Sequence, residues 1–276
     1  MATTSNFVFI VVMSYPNPVG NMMINKENTC NAVDKILITC PHNGLNRPDK
    51  IEEREESKLP SGCKRSQFNK VNDLYTRTLS KEIAYRMYEL CGKFPGLVIA
   101  EYDRKYIDMN RFRKCAYEVQ QAQAFYDEYH QHISQHIEAI CIRNKDSYIK
   151  GWLFDIHGKQ DADVPEDIAI GTEDGKTIAR LKKINPDALW DDTGLIKLLQ
   201  QKYTTNPKNK SESESSKYNG GYTINEYDCS FDKGGLQRIQ LEIELRLREK
   251  KSERKKFVEH LVNIILLLVS RYSNNT

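Results

Sequence analysis

Gly151-Trp152-Leu153-Phe154-Asp155-Ile156-His157-Gly158 moves from apolar residues into Asp-Ile-His-Gly. A short apolar run bounded by turn residues reads as a buried strand, expected here over Tyr148 to Ile156. Such a strand delivers His157 to the edge of a sheet, and Gly158 permits an abrupt turn and the close approach of another group to the backbone. A second apolar run closes in the same way: Ile36-Leu37-Ile38-Thr39-Cys40-Pro41-His42-Asn43-Gly44. Two strands that each end in a histidine, followed at once or one residue later by glycine, point to one shared polar site. The expectation is a metal there with His42 and His157 as ligands; the competing reading is a pair of hydrogen-bonded structural histidines.

Working outward, strand and helix patterns alternate. Residues 35–40 and Leu97 to Ala100 read as strands, as do Ile168 to Thr172 and Leu236 to Ile243, the last holding Glu242. Between them, Leu74, Leu79, Ile83, Met87 and Leu90 recur at helical spacing up to Gly92, with Asn72 or Asp73 as a suitable N-cap. Residues 115–142 read as one long helix, Ile196 to Tyr203 as a short one and Glu249 to Ser270 as a closing one. Strands separated by helices predict a single α/β domain with a mixed, mainly parallel central sheet flanked by helices. Such sheets bind ligands outside the carboxyl ends of their strands. His42, Arg104, His157 and Glu242 are all expected at or near such ends.

The domain is expected over 35–276, with 1–34 as an N-terminal extension or a first strand (Phe7 to Met13) and loop. Residues 41–64 form a long irregular excursion, which in a compact domain is usually functional or disordered. Thr204 to Lys217, rich in Ser, Lys and Glu, reads as a mobile surface loop.

The 276 residues carry 41 basic and 38 acidic side chains, a formal net charge of +3, so charge gives no argument for nucleic acid or an anionic membrane as partner. The apolar run Phe7 to Met13 lacks a preceding basic residue, and Ile264 to Val269 is too short to span a bilayer, so no targeting signal stands out. The seven cysteines are odd in number, widely spaced and without Cys-x-x-Cys, which predicts reduced, mostly buried thiols and a cytoplasmic location.

A catalytic zinc takes three ligands from His and Asp or Glu and leaves a position open. A nearby carboxylate and a cationic or amide donor complete a hydrolytic site. Arg104, Asp108, Asn110 and Arg111 cluster after a strand. Two guanidinium groups and an amide suit a substrate carboxylate, while the alternative is a salt-bridge cluster with Asp103 and Asp108. His130, His132 and His136 include an i, i+4 pair, but without His-Glu-x-x-His they read as a solvated helix face. Gly171-Thr172-Glu173-Asp174-Gly175-Lys176-Thr177 lacks the spacing of a phosphate loop, which argues against a nucleotide.

The ordered set of motifs resembles the N-formylglutamate amidohydrolase family. It comprises Pro41-His42-Asn43-Gly44, Asp73-Leu74-Tyr75-Thr76, Arg104 to Arg111, Tyr129-His130, Phe154 to Gly158, Gly171-Thr172 with Gly175 and Thr177, Gly220-Gly221-Tyr222 and Gln240-Leu241-Glu242-Ile243. The resemblance runs from about residue 36 to about 248. It implies a fold similar to the zinc carboxypeptidases and zinc-assisted hydrolysis of an amide or formamide bond. The substrate would be a small molecule or short peptide bearing a carboxylate, such as an N-formyl or N-acyl amino acid. His42 and His157 then match metal ligands, Glu242 the general base, Arg104 an oxyanion-stabilising arginine, and Asn110 with Arg111 the pair that holds a substrate carboxylate. The carboxypeptidase His-x-x-Glu is absent because Leu45 stands three residues after His42. The third zinc ligand must come from elsewhere, and the resemblance implies Asp73, which sits where the family often has an acidic residue before its helix, with Glu52, Glu53 and Glu55 as alternatives. Asp155 shares a strand side with His157 and is expected to orient an imidazole or a guanidinium. Competing readings are a non-catalytic relative kept as a binding module and a zinc peptidase acting on short peptide or peptidoglycan amides.

Overall fold

Strands that carry apolar side chains on both faces must be covered on both faces. The computed structural model describes residues 26–160, 162 and 164–273; the run Phe7 to Met13 lies outside them. The sheet contains β1 (Ile36–Cys40), β2 (Gly96–Ile99), β3 (Gly151–Lys159), β4 (Ile168–Gly171), β5 (Thr205–Asn206) and β6 (Leu236–Glu244), in the order β2-β1-β3-β6-β4-β5. The β1–β2, β1–β3, β3–β6 and β4–β5 pairs are parallel, and only β4–β6 is antiparallel. This is the expected mixed, mainly parallel α/β sheet.

Side-chain alternation sorts β3 into two faces. Trp152, Phe154 and Ile156 join Ile36, Ile38, Ile239, Leu241 and Ile243 in a core covered by the helices Thr76–Cys91 and Lys251–Ser273. Leu153 points the other way, into a core with Tyr129, Ile133, Ile137 and Ile140 of the helix Gln123–Arg143. Asp155 and His157 lie on this second side of the strand but beyond its apolar portion, so the sheet offers polar groups there.

Several boundaries differ from expectation for identifiable reasons. β3 does not stop before His157; it continues to Lys159 because β6 pairs with it along its whole length, His157 facing Glu242 and Lys159 facing Glu244. The helix expected from Asn72 starts at Thr76 and is preceded by Tyr75 at φ 66°, so neither Asn72 nor Asp73 caps it. The helix expected over 115–142 is interrupted: a turn at Arg113–Ala116 and a 3-10 turn at Gln120–Ala122 precede Gln123–Arg143. The 204–217 stretch contributes the short edge strand β5, and its Glu214 accepts hydrogen bonds from the backbone N–H groups of Thr172 and Asp174.

The cysteine expectation is overturned. Cys63 is bonded to Cys115 and Cys141 to Cys229, each pair with Cα atoms 5.8 Å apart. The partners lie 52 and 88 residues apart, so their meeting is a product of topology that linear spacing does not show. Cys30, Cys40 and Cys91 belong to neither disulfide, and Cys40 is buried. Among the described residues no helix is long and apolar enough to cross a membrane.

Candidate metal centre

His42 follows β1 by two residues, Asp73 sits in the loop before the helix Thr76–Cys91, and His157 is on β3. All three are buried, and one ligand atom from each lies within 4.8 Å of the others. His42 Nδ1 is 3.3 Å and His157 Nδ1 is 3.2 Å from the same Asp73 oxygen, Oδ2. The loop fixes this carboxylate: Asp73 N–H donates to the His42 carbonyl at 2.9 Å, and Gly158 N–H donates to Oδ2 at 3.1 Å. Glu53 is paired at the surface with Lys70 and Lys105, and Glu52 and Glu55 are exposed, so the geometry gathers Asp73 rather than these three.

The other nitrogen of each ring has its own carboxylate. His42 Nε2 lies 2.7 Å from Asp108 and His157 Nε2 2.8 Å from Asp155. Placing each proton on Nε2 satisfies both carboxylates and leaves both Nδ1 lone pairs facing Asp73. A carboxylate behind each imidazole is the arrangement that fixes the tautomer of metal-binding histidines and raises their basicity. Asp155 is held in turn by Thr39, its register partner on β1, whose hydroxyl donates at 2.6 Å. The expectation that Asp155 orients an imidazole is met.

Glu242 stands beside His157 through the β3–β6 register, its Oε1 3.9 Å from Nδ1. Burial pushes its carboxyl up to about 7, reinforced by Asp73 and Asp155 against the opposing charges of His157 and Arg104. Burial alone would raise Asp73 too, but His42, His157 and Arg104 hold it well below the usual carboxylate range. Burial disfavours a charged His157, yet Asp155 and Glu242 raise its pKa well above the ordinary imidazole value. Four carboxylates thus surround two imidazoles, with Arg104 as a compensating cation on Asp108 (3.0 Å) and Asp73 (3.5 Å). Excess negative charge around two imidazole nitrogens and a carboxylate suits a divalent cation of the zinc type.

The remaining site residues are placed as follows. The buried guanidinium of Arg104 donates to Asp108, Asp73 and the Val71 carbonyl. The buried Asn110 carboxamide accepts from Thr223 N–H (2.8 Å) and hydroxyl (3.0 Å), and its Nδ2 lies 3.2 Å from His157 Nε2. Gly221 must be glycine for this packing, since a Cβ there would fall 2.2 Å from Asn110 Nδ2. Arg111 is half-buried and donates to the Asn110 carbonyl at 2.7 Å. The helix histidines take no part in the cluster of ligand atoms formed by His42, Asp73 and His157. His132 and His136 are exposed, as expected. His130 instead packs among Tyr126, Tyr222 and Tyr227, and burial lowers its pKa to about 4.

Asp108 carries a role the sequence reading did not assign, as partner of His42; only its place in a dense polar cluster hinted at it. Arg248 was missed altogether. It is buried over Gly158, where it donates to the carbonyls of Ile243, Leu74 and Lys159 and ties the ends of β3 and β6 to the Asp73 loop.

No protein-family model matches the chain, and no curated protein matches it by sequence. Among solved structures it is similar to the gene product Atu2144 from Agrobacterium tumefaciens, with 15% identity, a TM-score of 0.55, and coverage of 88% of this chain and 93% of that one. That likeness shows a shared fold. The chain also overlays on the N-acetylmuramyl-L-alanine amidase Ami1 from Mycobacterium smegmatis, at 11% identity and a TM-score of 0.36, covering 86% of this chain and 97% of that one. For the CwlD amidase from Clostridioides difficile, solved with the GerS lipoprotein, the values are 11%, 0.36, 86% and 98%. Overlays this loose carry no argument about this chain.

Proposed function

We propose that the protein is a zinc-dependent amidohydrolase that cleaves an amide or formamide bond of a small carboxylate-bearing substrate, such as an N-formyl or N-acyl amino acid. The observation that carries this reading is the meeting of both Nδ1 atoms at Asp73 Oδ2 with Glu242 alongside. The ordered resemblance to the N-formylglutamate amidohydrolases supports it. His42, Asp73 and His157 would hold the zinc, which when bound supplies Lewis acidity and eases deprotonation of water.

The chain's own residues do the rest. Glu242, with its pKa near 7, is tuned to take a proton from the attacking water and return it to the leaving nitrogen. Arg104 keeps a fixed positive charge beside Asp73 and Glu242 and stabilises the negative charge that develops on the carbonyl oxygen. Asn110, immobilised by Thr223, together with Arg111 holds the substrate carboxylate.

The test is elemental analysis combined with assay of formyl-amino acids, acyl-amino acids and short peptides, with and without chelator. Stoichiometric zinc and chelator-sensitive hydrolysis are expected. Glu242→Gln should keep the zinc and lose roughly a hundredfold or more in rate. Hydrolysis indifferent to chelator, or full activity in Glu242→Gln, would overturn the assignment.

A further inference from the structure

Two segments bracket Asp108, the carboxylate behind His42. On one side its backbone N–H donates at 2.8 Å to the carbonyl of Ala116, the last residue of the turn Arg113–Ala116. On the other, Arg54 in the excursion after β1 donates to the Arg104 carbonyl and brings its Nη2 3.8 Å from Asp108 Oδ2. The Cys63–Cys115 disulfide is the covalent tie between these two segments.

The excursion has little packing of its own to replace that tie. From Glu55 to Lys64 no residue is buried. The hydrogen bonds from Lys114 to the Ser61 carbonyl and from Glu55 N–H to the Glu118 carboxylate cross the same junction at the surface, where polar contacts contribute little against water. A segment with so few buried contacts opens at low cost once its cross-link is gone.

The bond is also open to thiols. Both cysteines are half-buried and line a surface cavity of about 400 Å³ with Arg54, Lys64, Arg111 and Lys114, and no carboxylate is among the lining residues. Cationic neighbours favour the thiolate form, both of an incoming thiol and of the sulfur that departs. The other disulfide supplies the contrast, because Cys141 and Cys229 are each 0% exposed. An accessible bond in a cationic setting is the labile one of such a pair.

We propose that the Cys63–Cys115 bond is a thiol-sensitive switch that governs the hydrogen bond between Asp108 and His42. The reductant is a small thiol. Its thiolate attacks one sulfur, the other sulfur leaves as a thiolate, and a second thiol releases the mixed disulfide. Two thiols become one disulfide while Cys63 and Cys115 together take up two electrons and two protons. The excursion and the turn Arg113–Ala116 then relax apart, Asp108 loses its anchor on Ala116, and His42 loses the carboxylate 2.7 Å from its Nε2. The consequence for a metal rests on the reading of His42 as a ligand; the change at His42 does not.

The full chain, metal-free and with isotope-labelled histidines, is exposed to rising glutathione and mapped by alkylation. Cys63 and Cys115 should be labelled while Cys141 and Cys229 remain bonded. In that state the His42 imidazole N–H resonance, shifted downfield by its carboxylate partner and assigned with His42→Ala, should vanish, and that of His157 on Asp155 should persist. Opening of the Cys141–Cys229 bond first, or an unchanged His42 resonance once Cys63 and Cys115 are free, would overturn the proposal. Cys63→Ser/Cys115→Ser should bind zinc about tenfold or more weakly in competition with a chromogenic chelator. Cys141→Ser/Cys229→Ser loosens the fold away from this junction and should bind zinc as the parent does. Equal losses in the two variants would mean that the bond serves general stability only, and would reject the switch. A chain that takes up no zinc in any form fails the metal reading, and the His42 resonance still decides.

Discussion

Asp155 and His157 stand two residues apart on one strand with Asp155 Oδ2 2.8 Å from His157 Nε2, so a single strand supplies both a candidate metal ligand and the group that orients it. Asp155 is fully buried and also receives the Thr39 hydroxyl. Asp155→Asn keeps the shape but removes the charge that stabilises the Nε2 proton. Zinc affinity, measured by competition with a chromogenic chelator, should fall by about 10–100-fold. His157→Ala should abolish stoichiometric binding. Unchanged affinity in Asp155→Asn would show that the imidazole needs no carboxylate behind it.

Glu242 gives the centre a pH signature in chelator-treated protein. Its folded pKa is about 7 against an ordinary 4.5. Between those values the folded state holds a proton that the unfolded chain has released, so stability falls as pH rises through that window and levels off above it. The contribution is on the order of 3 kcal/mol. Glu242→Gln cannot ionise, so its stability relative to the parent should grow from pH 4.5 to 7 and stay constant beyond. Urea denaturation at several pH values measures this difference, and a flat profile would refute a raised Glu242.

Much of this was legible in the sequence because strand periodicity and strand-end chemistry are local. The apolar runs before His42 and His157, and the Asp155 spacing that puts two side chains on one side, follow from the two-residue repeat of a strand. The pairing of His157 with Glu242 depends on how far β6 runs beside β3, which no local pattern encodes. The disulfides and the Arg248 clamp are also long-range. Arg248 reaches Leu74 across 174 residues, and in sequence it is one arginine among many in a charged segment. Asp73 was legible as an acidic residue before a helix, but a capping role and a ligand role look alike until the αL residue Tyr75 displaces the helix start.

The two disulfides bear on stability and on compartment. Closing loops of 52 and 88 residues restricts the unfolded chain, and losing either bond should cost about 2–5 kcal/mol. Peptide mapping without reductant should recover Cys63 with Cys115 and Cys141 with Cys229. Cys141→Ser/Cys229→Ser should lower the urea midpoint and steepen the slope, because the unfolded chain freed of the cross-link exposes more surface. Such bonds persist mainly in oxidising compartments, which pulls against the cytoplasmic expectation drawn from cysteine spacing. Recovery of seven free thiols from natively expressed protein would restore that expectation.

Gly158 is the position where the fold and the centre are most tightly coupled. A Cβ there would lie 2.4 Å from Arg248 Cζ and within 2.6 Å of both terminal nitrogens. The guanidinium cannot swing aside cheaply, because it serves the carbonyls of Ile243, Leu74 and Lys159 in a buried setting. Moving it would leave a buried charge and carbonyls unsatisfied. Gly158→Ala should therefore cost about 2–4 kcal/mol and lower Tm by roughly 5–10 °C. Gly158 N–H also donates to the Asp73 oxygen shared by the two imidazoles, so the same substitution should weaken zinc binding although no ligand is changed. Arg248→Met should destabilise on its own, and the Gly158→Ala/Arg248→Met pair should lose less than the sum of the two, since removing the guanidinium removes the clash. Strict additivity in that cycle would mean that the glycine is there for backbone freedom rather than for the arginine above it.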